Sequence, residues 1–285
     1  MLESTNRQPP DQLQTAHLFR EIRHELLQVL HDLTPEQWER PTVCPGWTVR
    51  DIALHLLGID MGNLSRRRDG FSYHPDAFPG DPSTFDLVAF VNYINEEWVQ
   101  ATRRLSPRLI CTLLPFVGEE MDDYFVHLDG TAMGEAVSWA GPGPALVWLD
   151  IAREYTDRWV HQQQIRDAVE CPGMTEPRYL APVLATFVHA LPHTLRHEEP
   201  NPGTFVRLII TGDAGGAWVA VRTSGAWVLG REFPGEAAAT VTIDQDTAWR
   251  LYTRGVTPEE ARPKARLDGD RALGELMLRM VSIIV

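Results

Sequence analysis

Apolar residues recur at helical spacing through most of the first two hundred positions. In 11–32, Leu13, Leu18, Ile22, Leu26, Leu27 and Leu30 fall on one face and predict an amphipathic helix. A loop follows, and Thr48-Val49-Arg50-Asp51 then reads as a capping box with Asp in the place of the usual Glu. It opens a second helix over about 49–66, with Ile52, Leu56, Ile59 and Leu64 as its apolar positions. Pro, Gly and Asp crowd 69–83 and predict a loop. Further helices are expected at about 84–105, 107–126, 144–169 and 178–197. Gly-Pro breakers make 130–144 a loop, and Pro192 should kink or divide the last helix.

The period changes near residue 200. EEPNPG reads as a linker, and in TFVRLIITG the residues Val206, Leu208 and Ile210 share one face of a strand. AWVAVR and AWVLG, joined at Thr223-Ser224-Gly225, predict a hairpin, and ATVTI is a fourth strand. Two short helices are expected at 245–254 and 270–282. The chain therefore divides into a short disordered lead-in at 1–10, a helical domain at 11–199, and an α+β domain with an antiparallel sheet at 203–285.

Composition narrows what the protein can do. A formal net charge of −13 repels nucleic acid and anionic membrane. No apolar run reaches the ~20 residues that span a bilayer. The polar N-terminus lacks the apolar core of an export signal. Cys44, Cys111 and Cys171 are too few and too scattered for a disulfide framework or a cysteine-rich zinc site, which suits reduced thiols in the cytoplasm.

The candidate chemistry sits on two helices. Asp157 and His161 are four residues apart, on one face of the 144–169 helix, so one small ion could touch both. They lie beside the apolar stripe Trp148, Ile151, Tyr155 and Trp159, with Glu154 one turn earlier as an alternative ligand or supporting partner. His55 lies among Leu54, Leu56 and Leu57, where an imidazole needs a polar partner. Two histidines and one carboxylate leave coordination positions open, which suits a catalytic ion; zinc fits well, and nickel, manganese and iron stay open. Spacing alone does not decide between this and a surface Asp–His hydrogen bond beside a satisfied core histidine.

Two blocks carry a family likeness: Trp38, then Pro41-Thr42-Val43-Cys44-Pro45-Gly46-Trp47-Thr48-Val49-Arg50-Asp51-Ile52 and His55-Leu56, and later Arg153 through Arg166. Together they resemble the mycothiol-dependent maleylpyruvate isomerase family, over about residues 10–170. The resemblance implies a DinB-like four-helix bundle in which His55, Asp157 and His161 hold a divalent metal, usually zinc. Residues 203–285 are more weakly similar to the sterol-carrier-like C-terminal domain of the same family. Asp157 stands where Glu is common, one methylene shorter, which could alter the metal or draw in Glu154.

The resemblance also implies thiol chemistry. Mycothiol or a similar small thiol, held as thiolate, would add to the double bond of a small electrophilic substrate and leave after rotation, or would displace a leaving group. Arg207 and Arg222, on sheet positions, are candidates for carboxylate contacts with thiol or substrate, against the simpler reading of solvated strand arginines. Cys44 reads as a buried turn residue or a reactive thiol, and Cys111 as core; Cys171 falls at a helix end. Trp38 and Trp47 flank the loop before the first ligand helix. His74 and His127 carry no assignment. A monomer or homodimer fits equally. The alternative is a non-catalytic protein that binds or senses a small ligand, with the metal site serving structure.

Overall fold

A computed structural model describes residues 12–71 and 87–282. The expected lead-in at 1–10, most of the 69–83 loop, His74 and the first residues of the helix expected at 84 lie outside the described residues. Close contacts divide the chain into two interleaved units. Among the described residues, 15–71, 87–128 and 157–173 make up a helical unit; 12–14, 129–156 and 174–282 make up a unit built around a sheet. The expected linker at 198–203 thus falls inside the second unit.

The helical unit begins with a 3-10 turn and α1 (Phe19–Asp32), whose buried residues Phe19, Ile22, Leu26 and Leu30 follow helical spacing. A single turn, α2 (Pro35–Trp38), is fixed by a Thr34–Gln37 capping box and buries Trp38. The Thr48–Asp51 box opens α3 (Val49–Asn63) as the pattern predicts: Thr48 Oγ1 accepts from Asp51 N, and an Asp51 carboxylate oxygen accepts from Thr48 N. α3 continues through a π-helical turn, Leu64–Arg68. It is buried on nearly every side, with Val49, Ile52, Ala53, Leu54 and Leu57 almost inaccessible. α4 (Leu87–Thr102) and α5 (Pro107–Val126) pack against α3, and α1 packs against α5. Ser106 caps α5 by accepting from Leu109 N. The second half of α6 (Val147–Val169) completes the unit, placing Ile165 and Val169 in one core with Ile52, Leu56 and Ile110.

Two buried ion pairs join these helices. Arg158 on α6 binds Asp60 on α3 at 2.5 and 3.1 Å while stacking over Phe19 and Phe125. Arg23 on α1 binds Asp122 on α5 through both carboxylate oxygens.

In the other unit the stripe Trp148, Ile151 and Tyr155 on α6 is buried, as its spacing predicts. The segment expected as a loop at 130–144 instead contains β1 (Met133–Ala136), paired irregularly with β2 (Pro144–Leu146). Its sequence has no period-two alternation to announce it, so the pairing is made by tertiary context. The helix expected at 178–197 is divided into α7 (Pro177–Phe187), a 3-10 turn over Val188–Ala190, and α8 (Leu191–Thr194). Pro192 sits at the start of α8, where a missing N–H costs no hydrogen bond.

The main sheet comprises β3 (Phe205–Thr211), β4 (Gly216–Arg222), β5 (Trp227–Gly230), β6 (Ala239–Asp244) and β7 (Arg266–Gly269), in the order β5-β4-β3-β6-β7. The expected hairpin is β4–β5. The sheet is mixed, however, not purely antiparallel: its central pair, β3 and β6, is parallel. β5 is short, so Gly230 ends level with Val219 and hence with Arg207, close to where Ala239 pairs with Val206. Residues 231–238 can therefore cross directly to the far side of β3 without a helix. Their Phe233 and Ala237 cover Phe205, Val219 and Val221. α9 (Gln245–Tyr252) is capped by Asp244, α10 (Pro258–Ala261) by Thr257, and α11 (Arg271–Met277) by Asp270. The chain leaves helical geometry after α11, short of the expected 282, and Ser282 bonds back to Tyr252 and Phe187.

His189, in the turn between α7 and α8, lies with its ring perpendicular to Trp148 at 5.3 Å. Burial, aided by the charge of Arg231, pushes its imidazole down to about 4 from an ordinary 6.5. The unfolded chain takes up a proton near pH 6.5 that the fold refuses until about 4, so His189 contributes stability above pH 6.5 that is lost as pH falls. Lowering the pH from 7.5 to 5 should remove about 2 kcal/mol in urea unfolding. His189→Gln should flatten that slope, and an equal slope in the variant would contradict the assignment.

Candidate metal centre

The loop before α3 is held from within. Cys44-Pro45-Gly46-Trp47 forms a turn closed by Trp47 N donating to Cys44 O at 3.1 Å. Pro45 presets the first central residue, and Gly46 takes the positive φ of +79° that the second requires. Thr42 ties the two ends together: its N–H and its hydroxyl both donate to Trp47 O, and its hydroxyl oxygen accepts from Cys44 N. Arg103, just past α4, clasps the loop to the helix start, donating to both Asp51 carboxylate oxygens at 2.9 and 3.0 Å and to Gly46 O at 3.3 Å. Burial opposes the charge on Asp51, but Arg103 and Thr48 outweigh it and hold the carboxyl below its ordinary value.

Nearly two turns into α3, His55 is 5% exposed. The turn in the loop brings Trp47 beside it, ring centroids 5.0 Å apart, and the Trp47 indole N–H is anchored on Glu96 at 2.7 Å. From α6, His161 presents its ring edge-on to His55 at 4.6 Å, and its Nε2 is 3.7 Å from Asp157 Oδ1. One donor atom from each of His55, Asp157 and His161 lies within 4.8 Å of the other two. An ion with bonds of about 2.1 Å separates two donors by at most ~4.2 Å, so small side-chain rotations would close all three on one ion. The set of two neutral imidazoles and one carboxylate fits zinc and leaves positions open.

Behind His161 lies a contact the sequence reading missed. Gln164 Oε1 is 2.7 Å from His161 Nδ1 and 3.2 Å from Cys44 Sγ, joining the loop to the ligand helix. The available signal was the run Gln162-Gln163-Gln164 after His161, on a helix otherwise rich in buried apolar residues. Burial pushes the Cys44 thiol up to about 11, with the Asp157 carboxylate adding to the rise, so it is protonated at neutral pH.

The other candidates fall elsewhere. Glu154 accepts from Arg153 at 2.5 Å and is outside the donor cluster. Trp38 and Cys111 belong to the helical core, and Cys171 packs at its margin. His127 caps α5, its Nδ1 2.6 Å from Asp123 O. Arg207 and Arg222 lie on β3 and β4 in the sheet unit; Arg207 sits over the Phe205 ring, and the Arg222 Nε is buried without a hydrogen-bond partner.

The sequence profile described as mycothiol maleylpyruvate isomerase N-terminal domain matches residues 19–166, just over half of the chain. Among solved structures, the crystal structure of the mycothiol-dependent maleylpyruvate isomerase is similar at 12% identity and a TM-score of 0.49, covering 84% of this chain and 88% of that one. The solution structure of sterol carrier protein domain 2 of Helicoverpa armigera is similar at 17% identity and a TM-score of 0.25, over 37% of this chain and 84% of that one. No curated protein matches the sequence.

The Arg103 clasp is open to test. Arg103→Ala should leave a nearly buried carboxylate unpaired and cost about 2 kcal/mol in thermal unfolding at pH 7. Because the Asp51 carboxyl is held low, its share of stability is present above its ordinary range and lost as pH falls through the lowered value. The variant and the parent should therefore converge in strong acid, and a constant difference down to pH 2 would contradict this.

Proposed function

The chain belongs to the mycothiol maleylpyruvate isomerase family by its N-terminal domain, and from that premise we propose that it is a divalent-metal protein that activates a low-molecular-weight thiol of the mycothiol type against a small electrophile. The observation carrying this reading is the convergence of His55, Asp157 and His161 from α3 and α6. Those three side chains would hold the ion, with zinc the best match to nitrogen and carboxylate donors. When bound, such an ion supplies positive charge that lowers the pKa of a thiol and favours its nucleophilic form.

The chain's own groups fit around that role. Asp157 contributes one negative charge and the imidazoles none, so a divalent ion keeps a net positive charge toward an incoming thiol. Trp47 supplies an apolar wall beside His55. In the metal-free chain burial pushes the Cys44 thiol up to about 11, which makes it a poor nucleophile there. In isomerisation the thiolate sulfur forms a bond to one carbon of an activated cis double bond, the resulting single bond rotates, and the carbon–sulfur bond breaks to return the thiolate and the trans product. S-transfer would keep the new carbon–sulfur bond and expel a leaving group instead. Arg207 and Arg222, on β3 and β4, are candidate contacts for a carboxylate.

Elemental analysis of the purified chain should find one divalent ion per molecule. Adding zinc to chelator-stripped protein should raise the melting temperature, since an ion at a thousand times its Kd stabilises by about 4 kcal/mol. His55→Ala should abolish both effects, along with any thiol-dependent turnover in a screen of small thiols with electrophilic alkenes. A purified chain without metal, and with no thermal shift on adding zinc, would overturn the reading. Stoichiometric metal and a retained small ligand, with no thiol turnover, would favour a non-catalytic binding protein.

A further inference from the structure

The Gln164 contact goes one step beyond the donor set. Its side-chain carbonyl oxygen has two lone pairs, and two groups face it: His161 Nδ1 at 2.7 Å and Cys44 Sγ at 3.2 Å. A carbonyl oxygen can only accept, so each neighbour must bring a proton. Cys44 brings one because burial keeps its thiol protonated, and the neutral imidazole of His161 must then carry its single proton on Nδ1. The lone pair is left on Nε2, the ring nitrogen 3.7 Å from Asp157.

We propose that Gln164 is a positioning residue that holds His161 in the Nδ1–H tautomer and so presents the Nε2 lone pair to Asp157 and His55. Imidazole in water prefers the opposite tautomer, with its proton on Nε2, which would turn an N–H into the donor cluster. Gln164 removes that competition before any ion arrives, and the same bond fixes the ring's rotation. Cys44 steadies the amide from the loop side, because its S–H occupies the second lone pair and keeps the carbonyl end turned inward. The consequence for metal affinity rests on the metal reading above; the tautomer does not.

The test uses the full chain, labelled with 15N-histidine and stripped of metal, at pH 8. Long-range 1H–15N correlation reads the tautomer of His161, identified by its absence from the spectrum of His161→Asn. Zinc affinity is read by competition with a chromophoric chelator. The parent should show Nδ1–H. Gln164→Met, which keeps the shape without an acceptor, should move the ring to Nε2–H and weaken zinc binding about 10–100-fold. Gln164→Glu should keep Nδ1–H and bind zinc at least as tightly as the parent, and it decides the matter should the Met variant not fold. An Nε2–H ring in the parent, meaning a reversed amide that donates to Nδ1, would overturn the proposal. So would a Met variant with unchanged tautomer and zinc affinity. A tautomer that responds as expected in a chain that binds no zinc would support Gln164's role and sink the metal reading alone.

Discussion

A helix buried on nearly every side can carry a polar side chain only where another element answers it, because an unanswered one costs more than most single contacts return. α3 is such a helix, and it carries three such groups. Asp51 is answered by Arg103 at the end of α4, and Asp60 by Arg158 on α6. His55, between them, faces Asp157 and His161. The two ion pairs also fix register. With Asp60 locked to Arg158, α6 runs past α3 so that the turn carrying Asp157 and His161 comes opposite His55. The donor cluster is therefore a product of how the helix is held and needs no separate device to assemble it.

The same geometry explains the division of labour among the sulfur and nitrogen groups. Cys44 is close enough to reach Gln164 but too deeply placed to ionise readily, so it acts as a hydrogen-bond donor. His161 has one nitrogen toward Gln164 and the other toward Asp157, which gives its ring a direction. Trp47, anchored on Glu96, closes one side of His55. Each of these residues is set by the short loop from Pro41 to Thr48, or meets it.

Much of this was readable before the structure. The Thr48–Asp51 box, the apolar stripe of α6 and the break imposed by Pro192 follow from local rules, and all three appear as read. His55, Asp157 and His161 could be named as candidates, but spacing fits a surface Asp–His contact as well, and only the family likeness joined them across about a hundred residues. Gln164 and Arg103 escaped because their partners are distant in sequence and neither residue type is unusual on a helix. The parallel pairing of β3 with β6 escaped for a related reason. Period-two alternation tells which face a residue occupies and nothing about the direction of the neighbouring strand. β1 and β2 lack even that alternation.

The interleaving of the two units sets an order on synthesis. Residues 15–128 leave the ribosome first, carrying α3 without the segment that answers two of its three polar groups. Arg158 for Asp60, and the donors opposite His55, follow only after 129–156, a stretch that belongs to the other unit. At about 5–20 residues per second, the nascent chain waits a few seconds before 157–173 is complete. Through that interval Asp60 and His55 are better left in water than buried, so α3 has reason to stay loosely packed until its partner helix emerges.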